Sequence, residues 1–382
     1  MTMHAYLDHN ATTPIDEHVL EAMLPFLRAE YGNASSRHEF GTRARKAVEH
    51  AREQVAAAVN VQPSQVIFVS GGTEANNLFI RGAAAALKPT RALVSAIEHP
   101  CVMKPALDLA RSGWKVRKLR VGADGVLHFE DLDAALSEPA GLVSVMLANN
   151  ETGVIQPVVR VAERAHVAGA WMHTDAVQAF GKIAIDFPRL GVDAMTLSAH
   201  KIYGPKGAGA LVIDKRLPLK PLIQGGGHER GLRSGTENVP AIVGFGAACA
   251  LAMRRMDEVA RHTRTLRGRL EEGLARLGAV IFGCVAPRIP NTTYFALENI
   301  DGETLVIELN KAGFAVASGA ACSSANPEPS ATLLAMGIEP ELARGAVRVS
   351  LGATNTEEQI DGFLSALSAV VKGLRRLTAV AV

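Results

Sequence analysis

The sequence has no excess of either sign of charge: 40 Lys and Arg stand against 38 Asp and Glu, a formal charge of +2. A nucleic-acid surface or a membrane-binding basic face needs such an excess, so neither is expected. Cysteine is scarce, and its four copies, Cys101, Cys249, Cys284 and Cys322, lie far apart with no C-x-x-C. That spacing excludes the usual disulfide framework and structural zinc site. The twelve histidines show no H-E-x-x-H or comparable spacing, and no intrinsic metal is expected. No apolar run approaches the roughly 20 residues of a membrane span. The start, "MTMHAYLDHNATTPIDEHVL", lacks a charged-then-apolar signal pattern, and internal repeats and low-complexity tracts are missing. These absences leave a soluble, cytoplasmic protein whose partners are small molecules or other proteins.

What is present is ample apolar sequence. At 382 residues, 48% hydrophobic and 20% charged, the chain can bury a large core and is long enough for two or three domains. Between about residues 64 and 213, "QVIFVS", "ALVSAI", "LVSVMLA", "AWMHTD", "AMTLSAH" and "GALVID" read as strands, several of them continuously apolar as strands buried on both faces are. Helical stretches at 74–87, 100–112 and 157–169 alternate with them, which predicts crossover helices over a mostly parallel sheet, an α/β class. The rhythm changes after 214. A Gly-rich segment, "QGGGHERGLRSGTENVP", precedes a long helix over roughly 240–276, and a smaller α+β unit follows with strands "AVIFG", "TTYFAL", "FAVAS" and "AVRVSLG".

Three stretches carry chemistry. In "VIFVSGGTEANNLFI" a strand ends in Gly71-Gly72-Thr73 where a helix begins, a turn that offers free N–H groups and a hydroxyl to a phosphate. An ordinary helix cap would read the same way; G-x-G-x-x-G and P-loop spacings have no support there. In "TLSAHKIYGPKGAGALVI" a strand delivers Ser198, His200 and Lys201 into a Gly/Pro turn. A lysine so placed points into a site, where desolvation lowers its pKa toward what Schiff-base formation requires; a lysine exposed in a turn is the alternative. "AWMHTDAVQAFGK" sets Asp175 at a strand's carboxyl end with Gln178 three residues on, able to pair with a protonated ring nitrogen or simply to cap the next helix. Together the three match the contacts pyridoxal phosphate needs. Of the cysteines, Cys249 and Cys284 read as small packing residues, and packing is also preferred for Cys101. Cys322, in "SGAACSSANPEPS", lies in a loop of small residues and prolines and is a candidate nucleophile.

The motifs "YLDHNATTP", "GNASSRHEFG", "GGTEANN", "EHPCV", "ANNETGV", "HTDAVQAFGK", "SAHKIYGPKG", "GGGHERGLRSGTENV", "SGAACSS" and "VRVSLG" follow one another along essentially the whole chain. In this order the sequence resembles the cysteine desulfurases of the NifS/IscS type, in class V of the fold-type I pyridoxal-phosphate enzymes. "ANNETG" and "HTDAVQA" are closer to the nitrogen-fixation branch. "GNASS" lacks a proline frequent in the family, and "GAACSS" has alanine where serine is frequent; both changes are conservative.

The resemblance implies a fold-type I architecture: a large domain, 15–256, and a small one built from 1–14 and 257–382. It implies that Lys201 carries the cofactor, Asp175 binds its pyridine nitrogen, His99 stacks on the ring and assists proton transfer, and Gln178 holds the phenolic oxygen. Gly72, Thr73, Ser198 and His200 would surround the phosphate, with Thr236 reaching it from the other subunit of a homodimer. Asn150 and Arg348 would orient the carboxylate of L-cysteine, and Cys322 would take its sulfur as a persulfide, leaving L-alanine. The sulfur would pass to an iron–sulfur scaffold or other acceptor protein. Two rivals are a selenocysteine lyase or other class V enzyme that does not need Cys322, and a non-catalytic sulfur carrier.

Overall fold

Strands that are apolar along their whole length need cover on both faces. The computed structural model, which describes residues 5–319 and 328–380, shows that cover. A two-residue strand, β1 (Ala5–Tyr6), is followed by helices α1 (Glu17–Arg28) and α2 (Glu39–Ala58) and then by a seven-stranded sheet. Its strands are β2 (Val66–Val69), β3 (Arg91–Ser95), β4 (Lys115–Leu119), β5 (Leu142–Ser144), β6 (Trp171–Asp175), β7 (Ala194–Ser198) and β8 (Gly209–Ile213). They lie in the order β2-β8-β7-β6-β5-β3-β4. Strands β3 to β7 run parallel to one another, and β8 is antiparallel to both its neighbours. Between them come α3 (Gly72–Ala86), α4 (Pro100–Asp108), α5 (Phe129–Leu136), α6 (Val158–Val167) and α7 (Phe187–Leu190).

Period-2 alternation sends neighbouring residues of each strand into different cores. Ile67, Val69, Leu211 and Ile213 pack with Leu78 and Phe79 of α3 and Val102 of α4. Val66, Phe68, Ala210 and Val212 pack on the other side with Val48 and Val55 of α2, Val161 of α6 and Phe245. The expectation of a mostly parallel sheet with helices on both faces holds.

Phe245 lies in α8 (Val239–Arg276), one 38-residue helix. By length and composition α8 could cross a membrane, which amends the reading that no segment approaches a span. Half of its apolar stretch is nonetheless buried inside the protein. Val239, Ile242, Phe245 and Leu251 join the large-sheet core, and Leu266, Leu270 and Leu274 join a second core. That second core includes Leu7 near the start of the chain and the remaining helices α9 (Gly302–Lys311) and α12 (Glu357–Val380). Two short helices, α10 (Ala331–Ala335) and α11 (Pro340–Arg344), precede α12. A four-stranded antiparallel sheet in the order β12-β13-β10-β9 lies here, from β9 (Val280–Ile281), β10 (Thr292–Ala296), β12 (Ala317–Ser318) and β13 (Val347–Ser350), while β11 (Phe314–Ala315) pairs with β1. Cys284 is exposed, against the expectation that it packs. Strand β9 is only two residues long, and Gly283 with φ 66° turns the chain out of the sheet just before the cysteine.

The Gly-rich segment is fastened rather than free. Arg52 of α2, buried, donates from Nη1 and Nη2 to Glu229 at 2.7 and 2.8 Å, and the Phe68 N–H donates to the same carboxylate at 2.8 Å. Glu229→Ala leaves a guanidinium buried with Glu49 beside its Nε as its one carboxylate among the described residues and the Val66 carbonyl on Nη1. The expected loss of stability in denaturant unfolding is about 3 kcal/mol, the low end for a broken buried pair because Glu49 remains. A loss under about 1 kcal/mol would show that this clamp does not hold the segment.

Candidate active site

Ligands of open α/β sheets bind at the carboxyl ends of parallel strands, and a cavity of about 410 Å³ lies there. The loops after β1, β2, β3, β5, β6 and β7 line it, with one residue, Arg348, from β13. At the end of β2, Gly71 has φ 154°, and a Cβ on Gly209 of the adjoining β8 would come within 2.7 Å of Gly71 Cα. This close approach of two backbones sets the α3 N-terminus against the sheet edge, where its first N–H groups are free to meet an anion. Gly72, Thr73, Ser198 and His200 surround that end. Burial and the charges of Lys201 and Lys206 push His200 down to about 4, so it is neutral.

Lys201 follows β7 by one short turn. Its ammonium donates to the main-chain carbonyls of Asn10 and Ala11, both at 2.6 Å. Burial, helped by the positive charge of Arg348, lowers its pKa to about 8, against the opposing pull of Asp8 and Asp175. Asp175 ends β6, buried. Its carboxylate accepts from Val177 N–H at 2.9 Å and Asn76 Nδ2 at 2.7 Å. Burial still holds its pKa above the ordinary range, and a protonated ring nitrogen would supply the cation this carboxylate lacks.

His99 caps α4: Cys101 N–H donates to its Nδ1 at 3.2 Å, and the Cys101 thiol lies 2.9 Å from the same nitrogen. Nδ1 is therefore an acceptor and the ring proton sits on Nε2. The Arg348 guanidinium donates to Asp8 at 2.7 Å and to the Asn150 carbonyl at 3.0 Å. Asn150 and Gln178 line the same cavity.

Eleven of the twelve residues named from the sequence are thus placed. Ten of them, Gly72, Thr73, His99, Asn150, Asp175, Gln178, Ser198, His200, Lys201 and Arg348, share this cavity. Thr236 does not; it lines a separate cleft of about 120 Å³ with Ser70, Gly207 and Arg233. Cys322 lies outside the described residues.

Cys101 is in the cavity, bound to His99 and to Asn76 Nδ2 at 3.0 Å, not merely packed. Asn10, Asn76 and Lys182 each fall in a quoted motif, "YLDHNATTP", "GGTEANN" and "HTDAVQAFGK", but no local pattern distinguishes them; what marks them is a contact distant in sequence. Pyridoxal phosphate fits on this chain's own terms. Ser198 Oγ, Asn76 Oδ1 and Arg348 Nε, buried atoms of residues that line the cavity, have no hydrogen-bond partner among the described residues. Beside them stand an anion-binding helix end, a lone carboxylate and an amine of lowered pKa.

The comparisons agree with this chemistry. The aminotransferase class-V family matches residues 5–363. A cysteine desulfurase of Sinorhizobium fredii is 46% identical over 97% of both chains, and the cysteine desulfurase IscS of Clostridium botulinum 42% identical over 99% of this chain and 97% of its own. Among solved structures, a NifS-like protein superposes with a TM-score of 0.91 at 40% identity, covering 97% of this chain and all of the other. Likeness this long and this high, over a cavity that already fits the family's cofactor, leaves one assignment: the chain belongs to the class-V aminotransferase family, among its pyridoxal-phosphate-dependent cysteine desulfurases.

Proposed function

We propose that the cavity at the sheet edge binds L-cysteine beside the cofactor, and that Cys322 takes the sulfur, giving L-alanine and a Cys322 persulfide. The observation that carries this reading is that Lys201, Asp175, His99, Arg348 and the open α3 N-terminus share one cavity. Pyridoxal 5'-phosphate, when bound, supplies an electron sink that stabilises negative charge at the substrate's α-carbon. Gly72, Thr73, Ser198 and His200 would hold its phosphate, Asp175 its ring nitrogen and Gln178 its phenolic oxygen. His99 would stack on the ring with its Nε2–H available for proton transfer. Arg348, whose Nε has no partner among the described residues, and Asn150 orient the substrate carboxylate; a guanidinium fork suits that task. Lys201, with its pKa near 8, takes the α-proton and later returns it.

The Cys322 thiolate then attacks the substrate sulfur. An S–S bond forms, the substrate's C–S bond breaks, and its electron pair stays with the carbon skeleton, which is protonated to L-alanine. The net change is L-cysteine plus a thiol giving L-alanine plus a persulfide.

Several finer parts of the reading rest on the family's pattern. The chain acts in the cytoplasm as a homodimer, Thr236 meeting the phosphate of the partner subunit. That Thr236 lies outside its own chain's cofactor cavity supports this. Residues 15–256 form the large domain, and 1–14 with 257–382 the small one, in line with the two cores joined by α8. The persulfide serves an iron–sulfur scaffold, with the nitrogen-fixation branch favoured by "ANNETG" and "HTDAVQA".

The test is a sulfur balance. Loaded protein, mixed with L-cysteine and no reductant, is expected to release one L-alanine per site in the first turnover and to retain one equivalent of protein-bound sulfur. Alanine accompanied by free elemental sulfur, with none bound, would give the reaction to a lyase instead.

A further inference from the structure

Lys182 is a half-buried lysine that the reaction above does not use. It follows Gln178 by four residues, lines a second cavity of about 380 Å³ behind the cofactor site, and donates to Gln178 Oε1 at 2.9 Å and Asn10 Oδ1 at 2.8 Å. Burial and the positive charges of Lys201 and Arg348 push its pKa well below the ordinary lysine value. Charged or amine, it has two N–H groups for these two carbonyl oxygens.

Gln178 is held between neighbours of opposite chemistry. Lys182 donates to its oxygen, and the main-chain carbonyl of Asn10, which can only accept, takes an N–H from Gln178 Nε2 at 3.0 Å. The amide therefore has one orientation and cannot flip without turning its N–H groups on Lys182 and its oxygen on a carbonyl. Its second Nε2 hydrogen has no protein acceptor among the described residues, and Gln178 lines the cofactor cavity.

Asn10 is locked in turn. Its Oδ1 also accepts from Asn291 at 3.2 Å, and its Nδ2 donates to Thr292 Oγ1 at 2.8 Å and to the Asn150 carbonyl at 3.2 Å. Since Asn10 O also accepts from Lys201, one buried asparagine ties the amide, the cofactor lysine and β10 together.

We infer that Lys182 is a positioning residue: together with Asn10 it fixes the Gln178 amide so that an N–H, not the carbonyl, faces the cofactor. This rests on the reading that Gln178 meets the cofactor's phenolic oxygen. An N–H donor there disperses the oxygen's negative charge and lowers the pKa of the imine joining the cofactor to Lys201. With the donor lost or turned away, that pKa rises.

The test is an absorbance titration of the loaded protein, with cofactor stoichiometry and melting temperature recorded for each variant. Gln178→Ala is expected to raise the imine pKa by about 0.5 to 1 unit, the size of one hydrogen bond. Lys182→Met should give at least half of that rise, and Lys182→Gln, which keeps an N–H donor without the charge, less than half the Met value. The double variant Gln178→Ala/Lys182→Met should match Gln178→Ala alone, because Lys182 acts through the amide.

A Lys182→Met protein with an unshifted pKa, beside a shifted Gln178→Ala, overturns the inference and leaves the Gln178 reading standing. Additive shifts in the double variant also overturn it, assigning the effect to Lys182's own charge. No shift in Gln178→Ala removes the Gln178 reading and the inference with it. If Lys182→Met does not fold, Lys182→Ala takes its place in the same cycle.

Discussion

Lys201→Ala is expected to lower alanine formation from L-cysteine by about 10³-fold or more and to remove the visible absorbance of the cofactor imine, with the fold kept. The magnitude combines two losses, a positioned base worth roughly 10² to 10⁴ and the covalent attachment itself. The phosphate contacts proposed at the α3 N-terminus do not involve the lysine, so the variant is expected still to take up cofactor, now reversibly and washable by dialysis. Substitution removes a donor from the carbonyls of Asn10 and Ala11, which water entering the vacated space can satisfy. Wild-type protein adds a pH signature. Only the neutral amine attacks the cofactor aldehyde, and with a pKa of about 8 the neutral fraction is roughly a tenth at pH 7 and nine tenths at pH 9. Cofactor capture by the cofactor-free protein should therefore speed up about tenfold over that range. A Lys201→Ala protein that turns over within tenfold of wild type, or capture that slows as pH rises, would contradict this role.

The parts of the site legible in the sequence are those that a strand delivers. Asp175 and Lys201 come at the ends of short apolar runs that read as buried strands, which favours a place at the sheet's carboxyl edge, and the Gly71-Gly72-Thr73 turn reads as a helix start there; a capping aspartate and a lysine exposed in a turn stay open until the three are taken together. Family resemblance then assigned roles to His99, Gln178 and Arg348, which no local pattern distinguishes. Asn10 and Lys182 escaped because their meaning lies in each other and in Gln178, with Asn10 and Lys182 separated by 172 positions. Asn10 sits in a segment without helical or strand periodicity, and Lys182 in a turn after β6. Cys101 was misjudged for a related reason: a cysteine after "EHP" reads as the first turn of a helix, and only the fold shows that this turn opens into the cavity beside Asn76. Cys284 was misjudged because "AVIFG" reads as a longer strand than the two residues that pair. α8 is the opposite case. Its period was plain, and its bounds fall within a residue of the expected 240–276.

Cys322→Ala is expected to abolish protein-bound persulfide and to reduce alanine formation by about 10³-fold or more, while cofactor absorbance and the spectral response to L-cysteine stay intact. The argument is one of thiol chemistry, because sulfur is attacked by a thiolate that can reach it. Cys249 is buried in the large-sheet core, its pKa raised far by burial. Cys284 is exposed but lines neither the cofactor cavity nor the cavity behind it. Cys101 is the serious competitor, since it is inside the cofactor cavity and 2.9 Å from His99. Yet burial, aided by the negative charge of Asp175, pushes its thiol up to about 12. At pH 8 about one Cys101 in ten thousand is thiolate, whereas a thiol of ordinary pKa near 8.5 is about a quarter ionised. That difference of some three orders of magnitude sets the expected effect. Cys101→Ala should therefore still form the persulfide, its rate lowered by less than about tenfold through the lost contact to His99. Mass spectrometry after one turnover distinguishes the two thiols: an added 32 Da on the peptide holding Cys322 supports the assignment. The same mass on the peptide holding Cys101, or alanine formed at wild-type rate by Cys322→Ala, would move the reaction to the buried thiol or to a lyase mechanism that needs neither.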